Sequence, residues 1–292
     1  WKESTTTKYS NSVEHFMDFC NIEQVPHALH LPASEYLLSA FASSLAGKLA
    51  GKTARNKLSA IRAWHIQNGM PWLGGRQLAY VLRGVSFLAP ATSKQLPRPP
   101  ITCSKLLLLR KFSNFNDHLD CAIFFAALAA FWGQIRLGEL LSTTERPRPP
   151  PSQAKPSRVE GFEGPEAGPT HHYLHLPNTK NGGLAGEDII LCRQLHALDP
   201  ISALNRHLLV NSGGPNDILC GYINSKGICV SLTRRRFLAR CNQVWAEQGL
   251  PASTGHEFRI GGTTYMLLAR IPPDVVKALG RWSSDSFLRY WR

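Results

Sequence analysis

A chain of 292 residues with 43% hydrophobic and 18% charged residues is long enough for one large domain or two ordinary ones, each with its own core. No apolar run approaches the length that spans a bilayer, and the opening Trp1-Lys2-Glu3 has neither a signal-peptide pattern nor a starting Met, as expected of a trimmed chain. A formal net charge of +13, from 33 Lys and Arg against 20 Asp and Glu, makes an anionic partner the first expectation and sets aside chemistry that needs clustered carboxylates.

The first hundred residues read as helices. Tyr9, Val13, Phe16, Met17 and Cys20 recur at helical spacing. Ser34 is placed to cap a second helix carrying Leu37, Leu38, Phe41 and Leu45. A Gly-Lys-Leu-Ala-Gly-Lys loop at 47–52 follows, and Thr53 is expected to cap a third helix through Gln67, with Ala54, Leu58, Ile61 and His65 inward. A fourth helix is expected over 75–87. The Pro-rich basic stretch that follows reads as a linker, 91–101, between a helical domain, 1–90, and a second domain, 102–292.

The second domain starts with helices at 104–112 and 117–132, the latter apolar on all sides and so expected in the core. A segment near 144–170, rich in Pro, Gly and Glu, reads as an insertion. Two short strands, 172–176 and 187–191, flank Pro-Asn-Thr-Lys-Asn-Gly-Gly and form a β-hairpin with Lys180 near its tip. Helices resume at 200–210, 233–248, 257–269, 273–279 and 284–291. The fold class is mainly α with a small β-hairpin or sheet.

Between Tyr36 and Asn116 no acidic residue occurs, while Lys48, Lys52, Arg55, Lys57, Arg62, Lys94 and Arg98 all fall in that window. A surface of one sign repels itself unless an anion lies against it, and double-stranded DNA is the expected partner. A membrane surface fits less well, because the cations are not gathered on one long amphipathic helix. Arg234-Arg235-Arg236 reads as a solvated turn that can add phosphate contacts. The seven cysteines form no C-x-x-C pair, which suits a reducing interior compartment and core-filling roles.

Without paired carboxylates, phosphodiester chemistry must rely on Arg, His and Lys. Two segments supply them. Arg136 in Gln134-Ile135-Arg136-Leu137-Gly138-Glu139 has Glu139 three residues on, on the same helical face, as an ion-pair partner. His256 and Arg259 stand three apart at a helix start, followed by Gly261-Gly262, which signals close approach of another backbone or of a ligand. On a strand, His171 and His175 share a face with His172 opposite, so no three-ligand metal site is expected.

Taken in order, Arg136 in an R-x-G-E setting, hairpin Lys180, the H-x-x-R of His256 and Arg259, a glycine turn at Gly280, and Tyr290 one short helix later resemble the tyrosine recombinases. The ending Gly280-Arg281-Trp282-Ser283-Ser284-Asp285-Ser286-Phe287-Leu288-Arg289-Tyr290-Trp291-Arg292 is similar to that of the eukaryotic, mainly fungal, crypton or DIRS-type transposon branch. The resemblance covers nearly the whole chain. It implies a SAM-like helical core-binding domain, a linker, and a mixed α+β catalytic domain. It also implies DNA strand exchange for integration or excision of a mobile element, by a nuclear enzyme that works as a dimer to tetramer on DNA without metal or ATP. Arg136 and Arg259 would clamp the scissile phosphate, His256 would assist by hydrogen bonding or proton transfer, Lys180 would protonate the departing oxygen, and Tyr290 would attack. Glu139 would orient Arg136. Arg281 stands where many members have His; it is expected as a third phosphate ligand with Trp282 as packing, or else Trp282 itself buttresses the site. A type IB topoisomerase and a domesticated, catalytically silent DNA-binding protein are the rival readings.

Overall fold

The computed structural model describes residues 3–94, 97–147, 171–177, 179, 186–211 and 218–291, the side chains of 3–5 excepted. The expected insertion therefore lies outside the described residues beyond position 147, as does Lys180. The chain divides into two compact units, Trp1–Pro97 and Arg98–Arg292.

The first unit is four helices: α1 (Glu3–Ile22), α2 (Glu35–Ser44), α3 (Gly51–Gln67) and α4 (Arg76–Phe87). Phe16 and Cys20 of α1, Leu38 and Phe41 of α2, Leu58 and Ile61 of α3, and Leu78 and Val85 of α4 converge in one core. Phe16 meets Phe41 edge to face at 5.3 Å. Ser34 caps α2 by accepting from the Leu37 N–H at 3.2 Å. Glu35 then does what its own helix does not need: its carboxylate accepts from Gly75 N–H (2.8 Å) and Leu78 N–H (3.0 Å), capping α4 from a neighbouring helix. Buried His65 joins α3 to the segment before α2, its Nε2 accepting from the Ala33 N–H at 2.9 Å.

Helix α3 departs from expectation at its start. Ala50, not Thr53, is the N-cap, and Lys52 sits in the first helical turn rather than in a loop. Gly51 allows this, because a Cβ there would overlap Ser86 of α4; the helix begins where two helices come closest.

The second unit is built around α6 (His118–Trp132), after α5 (Cys103–Lys111). Every residue of α6 from Asp120 onward is buried, as an all-round apolar sequence requires. Each fully buried Phe or Leu such as Phe125, Leu128 and Phe131 contributes roughly 1.5–3 kcal/mol of apolar burial. Asp117 opens the helix by accepting from Asp120 N–H at 2.8 Å. A short α7 (Leu137–Leu140) follows, then the antiparallel hairpin of β1 (His171–Leu176) and β2 (Glu187–Cys192), in which His175 faces Asp188. His172, Leu174 and Leu176 point into the protein while His171 and His175 share the other face, as the strand period demands.

Helix α8 (Pro200–Val210) leads to a second hairpin, β3 (Gly221–Ile223) and β4 (Cys229–Ser231), that the sequence reading had not anticipated. Its strands are only three residues long, too short for an alternation to register. Then come α9 (Arg234–Glu247), α10 (His256–Leu268) and α11 (Pro273–Leu279). The last segment, expected as an α-helix over 284–291, is a 3-10 helix over Asp285–Tyr290. Six residues leave little room for α-helical hydrogen bonds, and the tighter turn is the usual form of so short a piece.

The paired glycines are explained by backbone rather than ligand. A Cβ on Gly261 would meet the Ile101 carbonyl, and one on Gly262 the Phe131 carbonyl, so α10 lies directly against α6 and the strand of chain leading into α5.

Candidate active site

Arg136 follows α6 as the N-cap of α7, in extended conformation. The expected pair with Glu139 is present, Nη1 to Oε1 at 2.8 Å, but not as two neighbours on a helix face. Glu139 also accepts from the backbone N–H of Arg136 at 3.3 Å, so the carboxylate closes the helix start around the arginine.

His256 and Arg259 lie in the first turn of α10, whose N-cap Gly255 has φ 96°. Only glycine adopts that conformation readily, and Leu137 occupies the place where its Cβ would stand. Glu257 closes the same helix start by accepting from Thr254 N–H at 2.9 Å. Arg259 is among the largest fully buried side chains. Its terminal nitrogens donate to the carbonyls of Gln134 and Gly280, and its guanidinium lies 4.1 Å from the centre of the Trp282 ring. Its Nε has no partner among the described residues. Burial, then the charges of Arg136 and Arg281, lower its pKa to about 9. A guanidinium so disfavoured, met by carbonyls and an indole but no carboxylate, is short of one anion.

Tyr290, at the end of the 3-10 helix, is half-buried beside Trp282, ring centres 5.8 Å apart. Thr264 of α10 donates to its carbonyl at 3.1 Å, and its hydroxyl stands 3.4 Å from His256 Nε2. Burial first, then the charges of Arg259, Arg98 and Arg136, hold His256 below its ordinary pKa, which favours the uncharged ring beside that hydroxyl.

The structure departs from the expected part of Arg281. Its backbone is left-handed, φ 53°, and its side chain is clamped between two carboxylates, Glu187 of β2 at 2.8 Å and Glu139 at 3.0 Å. Its charge is thereby balanced by two carboxylates, and among the described residues it is not one of those that line the cavity that Arg136 and Arg259 share. Burial opposes the charge on Glu139, yet Arg281 and Arg136 outweigh it and hold the carboxyl below its usual range. Trp282 is packing: its Nε1 donates to Gln134 Oε1 at 3.2 Å, and its ring covers Arg259.

Gln134 escaped the sequence reading as a functional residue. Fully buried and in a left-handed conformation, φ 47°, it offers Oε1 to Thr263 (2.7 Å) and Trp282, and its carbonyl to Arg259. The available signal was a lone amide at the end of an apolar helix, where a polar group must find partners.

A cavity of about 130 Å³ opens at this place, lined by Arg136, Arg234, Gly255, His256 and Arg259 with Leu137 and Gly138. Arg234 is thus drawn to the site, whereas Arg236 pairs with Glu145 at 3.2 Å and Arg235 is exposed in the same first turn of α9. Arg98 is exposed, close enough for its charge to act on His256. In the first unit Lys48, Lys52, Arg55, Arg62 and Lys94 are exposed. Lys57 is not with them: half-buried on another side of α3, it adds its charge to burial in lowering the pKa of His15 on α1. Among the described residues no group of three His, Cys, Asp or Glu is placed to hold a metal ion, and no helix is long and apolar enough to cross a membrane.

Neither a family profile nor a curated protein matches the sequence. The fold, however, is that of the tyrosine recombinases, mostly helical with small two-stranded sheets. The chain is similar to the XerH site-specific recombinase bound to difH substrate, with TM-score 0.61 and 15% identity, over 98% of this chain and 75% of that one. It is similar to a lambda integrase dimer bound to a COC' core site, with TM-score 0.58 and 16% identity, over 99% of this chain and 89% of that one. It is also similar to the Tn1549 transposon integrase in complex with transposon right end DNA, with TM-score 0.55 and 14% identity, over 96% and 87%.

Proposed function

We propose that this chain is a site-specific DNA recombinase that cleaves and rejoins strands through a 3′-phosphotyrosine intermediate formed on Tyr290. The observation that carries the reading is the Tyr290 hydroxyl, 3.4 Å from His256, a ring whose pKa is lowered, beside a cavity walled by Arg136 and Arg259. A scissile phosphate seated there meets two planar guanidiniums, suited to its non-bridging oxygens as charge builds on them. The tyrosine oxygen bonds to phosphorus, its proton passes to His256, and the bond to the 5′-oxygen breaks. Lys180 is the donor that protonates the departing oxygen. The phosphotyrosine link conserves the bond energy, so rejoining is the reverse displacement by another 5′-hydroxyl and calls for neither ATP nor metal.

DNA is the substrate that this charge distribution suits, with the exposed cations of α3 and the turn before it as backbone contacts in the first unit. The XerH, lambda integrase and Tn1549 integrase structures are DNA complexes, and the lambda integrase forms a dimer in one and a tetramer on a Holliday junction in another, which supports assembly as a dimer to tetramer. The Gly280–Arg292 ending favours integration or excision of a mobile element of the crypton or DIRS type, which would place the enzyme in the nucleus.

The test is trapping on a pool of nicked duplexes of randomised sequence, whose short strand diffuses away after cleavage. The wild-type chain should give a covalent protein–DNA band on a denaturing gel, and Tyr290→Phe should give none. A band that survives Tyr290→Phe, or no band from the pool, overturns the proposal.

A further inference from the structure

We propose that Arg234 is the third guanidinium of the phosphate cavity, the part that the sequence assigned to Arg281. The inference rests on the cavity being a phosphate site. Arg281 already faces two carboxylates: Glu139 and Glu187 each accept from one of its terminal nitrogens. Arg234 has the opposite circumstances. It lines the cavity with Arg136, His256 and Arg259, and among the described residues no carboxylate pairs with it. Among the described residues its side chain donates to a neutral carbonyl, that of Thr254, at 2.9 Å.

That tether matters for aim. Thr254 immediately precedes Gly255, the N-cap of α10, so the bond holds the Arg234 guanidinium beside the first turn of that helix, where unpaired N–H groups favour an anion. The backbone is fixed as well. Arg234 N–H donates to the Ser142 carbonyl at 3.0 Å, and Ser142 lies two residues beyond α7, whose N-cap is Arg136. Arg136 and Arg234 are therefore carried on two segments joined directly to each other, and their spacing does not depend on long side chains finding one another. Arg259 itself is buried with no carboxylate against it, only the carbonyls of Gln134 and Gly280 and the face of Trp282, so its charge adds to that of the wall. A phosphate here would lie against three guanidiniums, and Arg234 would supply a charge that no acidic residue among those described has already cancelled.

The probe is inorganic phosphate, titrated into the full chain and followed through the ring-proton resonances of His256, assigned by their loss in His256→Ala. These report this cavity rather than the rest of a chain of net charge +13. The wild type should show a saturable shift. Arg234→Ala should raise the apparent Kd about fivefold or more, the loss expected for a charge-assisted hydrogen bond. Arg234→Gln, which keeps most of the aliphatic stem and an amide donor but not the charge, should do the same and guards against misfolding of the alanine variant. Lys226→Ala, which removes one charge from the exposed turn between β3 and β4, should leave Kd unchanged. An unchanged Kd in both Arg234 variants overturns the proposal, as does a wild-type His256 that never responds to phosphate. The titration needs neither DNA nor Tyr290, so the absence of a covalent adduct would count against the recombinase reading without touching this one.

Discussion

Arg259 and His256 show how one buried cation sets the state of its neighbours. Arg259 brings a full charge into a place where carbonyls and an indole face surround it, and the pKa of His256 on the same helical turn, lowered first by its own burial, is lowered further by that charge. The consequence is a pH profile. The folded pKa of His256 lies below the ordinary 6.5, so the neutral ring is present above 6.5 and is lost only as pH falls through the lowered folded value. Cleavage that uses Nε2 as proton acceptor should therefore be level through neutral pH and decline only on the acid side of 6.5. Single-turnover rates on a trapped duplex would show it, and a rate already falling between pH 8 and pH 7 would sink the assignment. Glu139 works in the other direction. It is the shared counter-ion of Arg136 and Arg281, and its burial makes both pairs depend on it. Arg136 and its carboxylate partner were legible because the two are near in sequence. The second partner of that carboxylate was not, since Arg281 is 142 positions away and spacing to Tyr290 suggested another part for it.

At the scale of elements, what holds the site is the contact of α10 with α6. Gly262 lies so close to the Phe131 carbonyl that any side chain must push the two helices apart, and a backbone carbonyl cannot swing aside as a flexible side chain can. Gly262→Ala should cost about 3 kcal/mol in a urea titration and weaken phosphate binding with it, because Arg259 rides on the displaced helix. An alanine variant as stable as the wild type would mean that the helices are not held at that distance. The junction of α8 with β3 gives a second test. His207 stacks on Phe125, ring centres 5.3 Å apart, and is bound to the Leu219 carbonyl at 2.8 Å. Burial pushes its pKa down to about 4 from 6.5. The unfolded chain therefore takes up a proton first, and the stability that His207 contributes is present above 6.5 and lost as pH falls toward 4. The advantage of the wild type over His207→Gln should shrink by about 3 kcal/mol across that window, and a constant difference would refute the buried neutral ring. Helices α8 and α11 were readable from their starts, Pro200 after the cap Asp199 and Pro273 at the first helical position. The β3–β4 hairpin was not, because Gly221–Ile223 takes its identity from pairing with Cys229–Ser231 and from no pattern of its own.

For the whole molecule, charge is what the sequence displays most openly and what folding sorts most finely. The stretch without acidic residues reads as one block of cations, yet the helix divides it. At 100° per residue, Lys52, Arg55 and Arg62 fall on a common face of α3 and are exposed, while Lys57 turns away toward α1. Exposure alone does not make a DNA contact, but three cations on one face of one helix form a unit that can be removed together. If that face lies along a DNA backbone, each lost phosphate contact takes about 0.9 from the slope of log K against log salt concentration. The triple variant Lys52→Ala, Arg55→Ala, Arg62→Ala should then bind a random-sequence duplex with a slope shallower by about 2 to 3, and the loss should be alike for all sequences. Lys57→Ala should leave the slope as it was. Fluorescence anisotropy at a series of salt concentrations measures both. An equal slope in the triple variant and the wild type would move the DNA contacts of the first unit off α3, and a change in slope from Lys57→Ala would show that the division of this helix into two faces is not how the protein meets DNA.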